Sequence, residues 1–269
     1  MSAPLACGAM GEHVHLERDA AAGVAVIRLD RPKVNAISTD MVQDLQAIAG
    51  EIAGDDTIRA VVITGGRKVF AAGADISEFP NFDASSAQTF STTFNDSLMA
   101  IEQLPQVTIS AVNGYALGGG LEVALTTDFR MIAEDGRIGV PEIQLGLIPG
   151  GGGTQRLARL AGVTFAKEMV YTGRHVGAEE ALANRIVSSI HDPDSLLDDA
   201  LAKAADYAKG PAALRMAKRA ILDGLHLPLG EAVKVEAEQF GRCFGTDDNT
   251  IGVQSFLENG PGKAEFTGR

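Results

Sequence analysis

The sequence predicts an α/β protein, on three observations. Short β-branched apolar runs recur and end in turn residues. Apolar positions spaced three and four apart mark at least one intervening helix, and after residue 195 the strand-like runs give way to helical ones. The first strand is GVAVIRLDRP (23–32), which alternates and stops at Asp30 to Pro32, where proline offers no N–H to a ladder. A helix follows. Ser38 or Thr39 can accept from its first N–H groups, and Met41, Leu45, Ile48 and Ile52 share one face. IRAVVITGG (58–66) and VTISAVNG (107–114) read as buried strands, TDFRMIAE (127–134) as another, and RIGVPEI (137–143) as a shorter extended piece. Beyond SSIHDPDS (188–195) come helical segments over 196–209, 211–224, 228–244 and 248–259, punctuated by Pro211 at a start and by Gly210, Gly224 and Gly260 near ends. The chain therefore divides into a core over 1–195 and a helical region over 196–269 that packs on the core or on a neighbouring subunit. No repeat of fixed period and no low-complexity tract occurs.

With 269 residues, 45% of them hydrophobic, the chain can bury a substantial core. Its 35 acidic against 23 basic residues give a formal charge of −12, which disfavours nucleic acid and anionic membrane surfaces as partners. An anionic ligand would need local lysines or backbone N–H groups. Cys7 and Cys243 lie far apart without metal-ligand spacing to histidine, so no metal site is expected and the thiols read as reduced and inert. The start, MSAPLACGAMGEHVH, has no basic segment followed by an apolar block, and no apolar run reaches the roughly 18–20 residues that span a bilayer, so a cytoplasmic location is expected.

Two glycine-rich stretches carry the candidate chemistry. In GYALGGGLEVAL (114–125), three glycines precede an apolar helical run although glycine costs about 1 kcal/mol relative to alanine inside a helix. Close helix–strand packing or a positive φ explains a single glycine; three together favour approach of a ligand to the N–H groups of a helix start. GLIPGGGGTQR (146–156) lacks the G-K-[ST] ending of a phosphate loop, and neither stretch shows a dinucleotide fingerprint. Glu122 and Glu142 each stand among apolar neighbours, where burial raises a carboxyl pKa toward a range useful in proton transfer; either alone reads equally well as a structural acid. KVFAAGADISEF (68–79) is a second small-residue loop after a buried strand, and Asp75 in it reads as a cap for the next helix or as a ligand contact. Two such loops can aim two N–H groups at one carbonyl oxygen. His13, His15, His175, His191 and His226 have no evident serine or cysteine partner, and no G-x-S-x-G elbow occurs.

Taken together and in order, LDRPKVNAIS, RAVVITGGRKVFAAGADISEF, VNGYALGGGLEVALTTD, IGVPEIQLGLIPGGGGTQRLARLAG and FLENGPGKAEFTGR resemble the crotonase, or enoyl-CoA hydratase/isomerase, superfamily over essentially the whole chain. The resemblance implies a spiral of ββα units, a C-terminal helical region used in trimer formation, a homotrimer or a hexamer of two trimers, and a coenzyme A thioester substrate with no separate cofactor. It implies an oxyanion hole from the N–H groups of Ala74 and Gly119. It places Glu122 and Glu142 as the acid–base pair of a hydratase acting on 2-trans-enoyl-CoA. Contacts to substrate and coenzyme A fall to Lys33, Ala36, Ala72, Asp75, Ile76, Gly150, Lys263 and Phe266. Ser77 stands where a lysine for the phosphates is frequent, which leaves that task to Lys33, Lys68 or Lys263. Residues 80–103 are the least recognisable, and they shape the acyl pocket in this superfamily, so chain length stays open. The alternatives are a sibling reaction, isomerisation or dehydration of a particular hydroxyacyl-CoA, and a non-catalytic binding protein.

Overall fold

The computed structural model describes residues 6–269; residues 1–5 and the side chains of residues 6–10 lie outside it, and with them the readings of Cys7 and of the first residues. The strands, in chain order, are β1 (Ala6–Met10), β2 (Val14–Asp19), β3 (Val24–Leu29), β4 (Ala60–Thr64), β5 (Val69–Ala72), β6 (Val107–Val112), β7 (Tyr115–Leu117), β8 (Phe129–Ala133), β9 (Arg137–Gly139), β10 (Val176–Gly177) and β11 (Ser189–His191). The helices are α1 (Thr39–Ala53), α2 (Ala84–Glu102), α3 (Gly119–Leu125), α4 (Gly153–Ala161), α5 (Val163–Thr172), α6 (Ala178–Ala183), α7 (Leu196–Ala208), α8 (Ala213–Gly224), α9 (Leu229–Cys243) and α10 (Asp247–Asn259).

Two sheets organise these elements. One runs β1-β2-β3-β4-β6-β8-β11, antiparallel as far as β3 and parallel beyond; the other runs β10-β9-β7-β5. The chain leaves the large sheet at β4, β6 and β8, adds β5, β7 and β9 to the small one, and then turns helical each time. This is the ββα spiral that the resemblance implies. β4 and β6 are buried along their whole length, as parallel strands covered on both faces must be.

The large sheet buries both faces. Ala25, Ile27, Val61 and Ile63 face the main core with Met41, Leu45 and Leu98, whereas Val24, Val26, Ala60 and Val62 face a second core formed with Leu196, Ala200, Ala204 and Ala208 of α7. Alanines at every fourth position of α7 let it lie close to the sheet. The sequence division at residue 195 thus falls just before a helix that covers the sheet. His191 has partners that the sequence did not reveal, Ser189 Oγ on its own strand and Asp199 Oδ2, each at 2.8 Å, and the second joins β11 to α7.

α8 to α10 bury few side chains of their own and leave Ile221, Leu225, Leu229, Phe240, Phe244 and Leu257 exposed. Two polar anchors hold this region. Lys218 Nζ donates to Gln106 O and to Asp128 Oδ2, both at 2.9 Å, and Asp248 accepts from the backbone N–H groups of Ala212, Thr267 and Gly268. Among the described residues no helix is long and apolar enough to cross a membrane.

Two local expectations change. RIGVPEI is extended only through Gly139, because Pro141 starts a 3-10 helix, Pro141–Leu145, whose fixed φ suits a first helical position. Residues 84–102, without a predicted element, form α2, the longest helix described.

Candidate active site

The three glycines have separate jobs. Gly118 sits at φ +49°, and a Cβ there would come within 2.6 Å of Glu142 Oε1. A Cβ on Gly120 would lie 2.1 Å from Ala71 O, so only glycine lets α3 seat on β5. Gly119, between them, opens the helix with a backbone N–H that has no acceptor among the described residues.

Ala74 supplies a second such group. Its loop follows β5 and is stitched to Ile37 on either side, Ile37 N–H to Gly73 O and Asp75 N–H to Ile37 O, both at 2.8 Å, which leaves the Ala74 N–H unused. A Cβ built on Gly119 would lie 3.5 Å from Ala74 N, so the two N–H groups belong to one place although 45 positions separate them in the sequence. Asp75 caps no helix. It accepts from Ser77 N–H and Oγ and pairs with Arg31 at 2.5 Å, and these bonds, the Ser77 hydroxyl first, hold its carboxyl below the usual range.

Glu122 is only 1% exposed, in the first turn of a helix whose seven residues are all buried. Its Oε1 accepts from Gly151 N–H at 2.8 Å and from Gly153 N–H at 2.7 Å. Burial raises its pKa to about 7; the two N–H groups and Arg156 pull down, and the charge of Glu142 pushes up. The loop that provides those N–H groups is itself held. Ser91 Oγ (2.7 Å) and Asn95 Nδ2 (2.6 Å) donate to Gly150 O, and Arg156, paired with Glu102, donates to Gly151 O at 2.9 Å. Each peptide is gripped at its carbonyl while an N–H of the loop points at the carboxylate. Glu142, half-buried on the 3-10 helix, also has its pKa raised by burial, and its Oε2 is buried without a hydrogen-bond partner.

Both glutamates line a cavity of about 530 Å³, together with Ala74, Gly119 and Gly150. The structure therefore gathers five of the residues singled out in the sequence. The others lie off this cavity. Ala36 and Ala72 flank the Ala74 loop, where Arg31 Nη1 donates to Ala36 O and Ala72 N–H to Val34 O. Ile76 and Lys33 are exposed, the latter at φ +76°. Lys263 is exposed on the C-terminal tail, and Phe266 packs over Gly252 of its own α10. The segment 80–103, which the resemblance gives to the acyl pocket, does line this cavity, through Phe82, Phe90 and Phe94; Phe79, Leu147 and Ile148 complete the apolar lining, and none of these six was singled out in the sequence. Phe90 and Phe94, four apart and in step with Leu98, were the legible signal for it.

One buried and one half-buried carboxyl and two unused N–H groups thus surround one apolar cavity on a ββα spiral, the fold that the resemblance read from the motifs implies. The family model described as enoyl-CoA hydratase/isomerase matches residues 19–269, and the chain belongs to that family. It is 38% identical over 238 residues to the short-chain-enoyl-CoA hydratase of Clostridium acetobutylicum, covering 87% of this chain and 91% of that one. It is 37% identical over 250 residues to the crotonyl-CoA hydratase of Syntrophomonas wolfei, covering 92% and 95%. Among solved structures, the enoyl-CoA hydratase of Geobacillus kaustophilus superposes with a TM-score of 0.92 at 31% identity, over 97% of this chain and 98% of that one.

Proposed function

We propose that this chain adds water reversibly to 2-trans-enoyl-CoA, giving the 3-hydroxyacyl-CoA. The observation that carries the reading is the placement of Glu122 and Glu142, both with raised pKa, on the cavity that also receives the Ala74 and Gly119 N–H groups. The thioester oxygen accepts from those two N–H groups, so negative charge can develop on it as an enolate. Glu122, ionised, takes a proton from water as the hydroxyl bonds to C3. Glu142, protonated, gives its proton to C2, and proton exchange between the carboxyls resets the pair. One proton shared by two neighbouring carboxyls at neutral pH suits pKa values raised in this way. Because the carboxyls interact, the pair titrates as a unit, and the division of roles is less fundamental than the pair.

On this reading the enzyme acts in the cytoplasm in acyl-CoA breakdown, with coenzyme A only as part of the substrate. The exposed apolar faces of α8 to α10 support a homotrimer or a hexamer built from two. Purified protein should remove the conjugated absorbance of crotonyl-CoA. Glu122→Gln and Glu142→Gln should each lower kcat by at least about a hundredfold, a size typical of lost acid–base catalysis. Unchanged turnover in both variants would sink the assignment.

A further inference from the structure

We infer that the acyl group is a long apolar chain, on the order of eight to ten carbons, rather than the four-carbon crotonyl group; the inference rests on the hydratase reading and concerns the same cavity. The first ground is size. A dry cavity of about 150 Å³ lined by Leu, Ile and Phe holds benzene, or about 25 Å³ per carbon. By that measure the 530 Å³ here corresponds to roughly twenty carbons, and a crotonyl group fills about a fifth of it. Even if half of the space is open mouth and reacting centre, about ten carbons fit.

The second ground is the course of the wall. Phe94 lies against the reaction centre, its ring 3.3 Å from where a Cβ on Gly119 would be. From it a connected series of rings leads away: Phe90 at 6.1 Å between centroids, then Phe82 at 5.5 Å, then Phe79 at 5.7 Å. A single aromatic acyl group would meet only the first rings of such a track, whereas an extended chain follows it. Ala84 and Ala87 line the cavity on the same side and keep the track open.

The third ground is polarity. Beyond the two glutamates the lining has three polar side chains: Ser91 Oγ is engaged with Gly150 O, Asp83 is occupied as the N-cap of α2, accepting from Ser86 N–H at 2.7 Å, and Gln88 is exposed, so its amide can stay in water. Across the cavity Leu147 and Ile148 are 43% and 67% exposed, apolar surface that a chain would cover. Of the residues assigned to substrate and coenzyme A contacts only Gly150, next to the Gly151 N–H that holds Glu122, lines this space; Lys33, Ala36, Ala72, Asp75, Ile76, Lys263 and Phe266 do not, so it belongs to the acyl side of the thioester.

The test compares trans-2-butenoyl-, trans-2-decenoyl- and trans-cinnamoyl-CoA as substrates of the full-length protein. kcat/KM for the decenoyl thioester should exceed that for the butenoyl one by at least about tenfold, the range that methylenes give in an apolar pocket. Ala87→Trp should lower the decenoyl-to-butenoyl ratio at least about tenfold; an unchanged urea-denaturation midpoint reports that the variant is folded. A ratio near one in the unmodified protein, a cinnamoyl substrate preferred over decenoyl, or a ratio untouched by Ala87→Trp overturns the inference and leaves the hydratase reading standing. No hydration of any of the three overturns both.

Discussion

Glu122→Gln offers a measurement of stability as well as of rate. Gln has the shape of the protonated carboxyl, and its Oε1 can keep both N–H bonds from Gly151 and Gly153, so the variant mainly removes one titration. In the native protein the pKa is about 7 against the usual 4.5. Between those values the folded state holds a proton that the unfolded chain has lost, so stability falls as pH rises through the window and levels off above about 7. At about 1.4 kcal/mol per pH unit, the whole effect is about 3 kcal/mol, of which about 2–3 kcal/mol develops between pH 5 and pH 8. The stability of the Gln variant relative to the native protein should rise by that amount across this range, read by urea denaturation at matched protein concentration, since self-association would otherwise enter the comparison. A difference that stays constant from pH 5 to pH 8 would mean that Glu122 ionises like an exposed glutamate, and the argument from its burial would be wrong.

Two further outcomes follow from particular contacts. Replacing Ser91 and Asn95 together by Ala frees the Gly150 carbonyl and weakens the Gly151 N–H bond that lowers the Glu122 pKa. The acid limb of kcat/KM against pH should therefore move up by roughly half to one pH unit, given about 1 kcal/mol per hydrogen bond, and a limb that stays in place or moves down refutes the link. Lys218→Met breaks a buried pair and leaves Asp128 with only Thr108 as a polar partner, so urea denaturation should show a loss of about 2–4 kcal/mol; a loss below about 0.5 kcal/mol would show that the pair does not anchor α8.

The fold was legible where one force dominated. β4 and β6 are apolar along their length because both faces are covered, and no competing pattern obscures them. α1 was legible down to its cap, with Ser38 Oγ accepting from Met41 N–H. α2 was hidden by its Ser and Thr content, since these residues ordinarily compete with the helical backbone. Here the competition is settled within the helix: Thr89, Thr92 and Thr93 hydroxyls donate to the carbonyls four residues back, so these side chains find partners without pulling the backbone out of helical conformation. β5 and β7 span four and three residues, too short for a period to show, yet they carry the two loops that matter most.

The site divides along the same line. Glu122 and Glu142 could be picked out singly because a carboxyl among apolar residues is a local anomaly, visible without knowing what lies across from it. The chain-length pocket had no such mark, because a phenylalanine facing an empty channel and one facing the core look alike in sequence. Phe94 does both. It is buried in the main core and also forms the near wall of the cavity, and a Cβ on Gly151 would approach its ring to 2.6 Å and Glu122 Oε2 to the same distance. Gly151 therefore answers to two demands at once. It must be small enough for the ring and the carboxyl to share one side of the loop, and its N–H, like that of Gly153, must bond the carboxyl that the ring helps to desolvate. A glutamate with a pKa near 7 needs both the desolvation and the bonds, since burial without the bonds would leave it protonated throughout the working range and the bonds without burial would leave it an ordinary carboxylate.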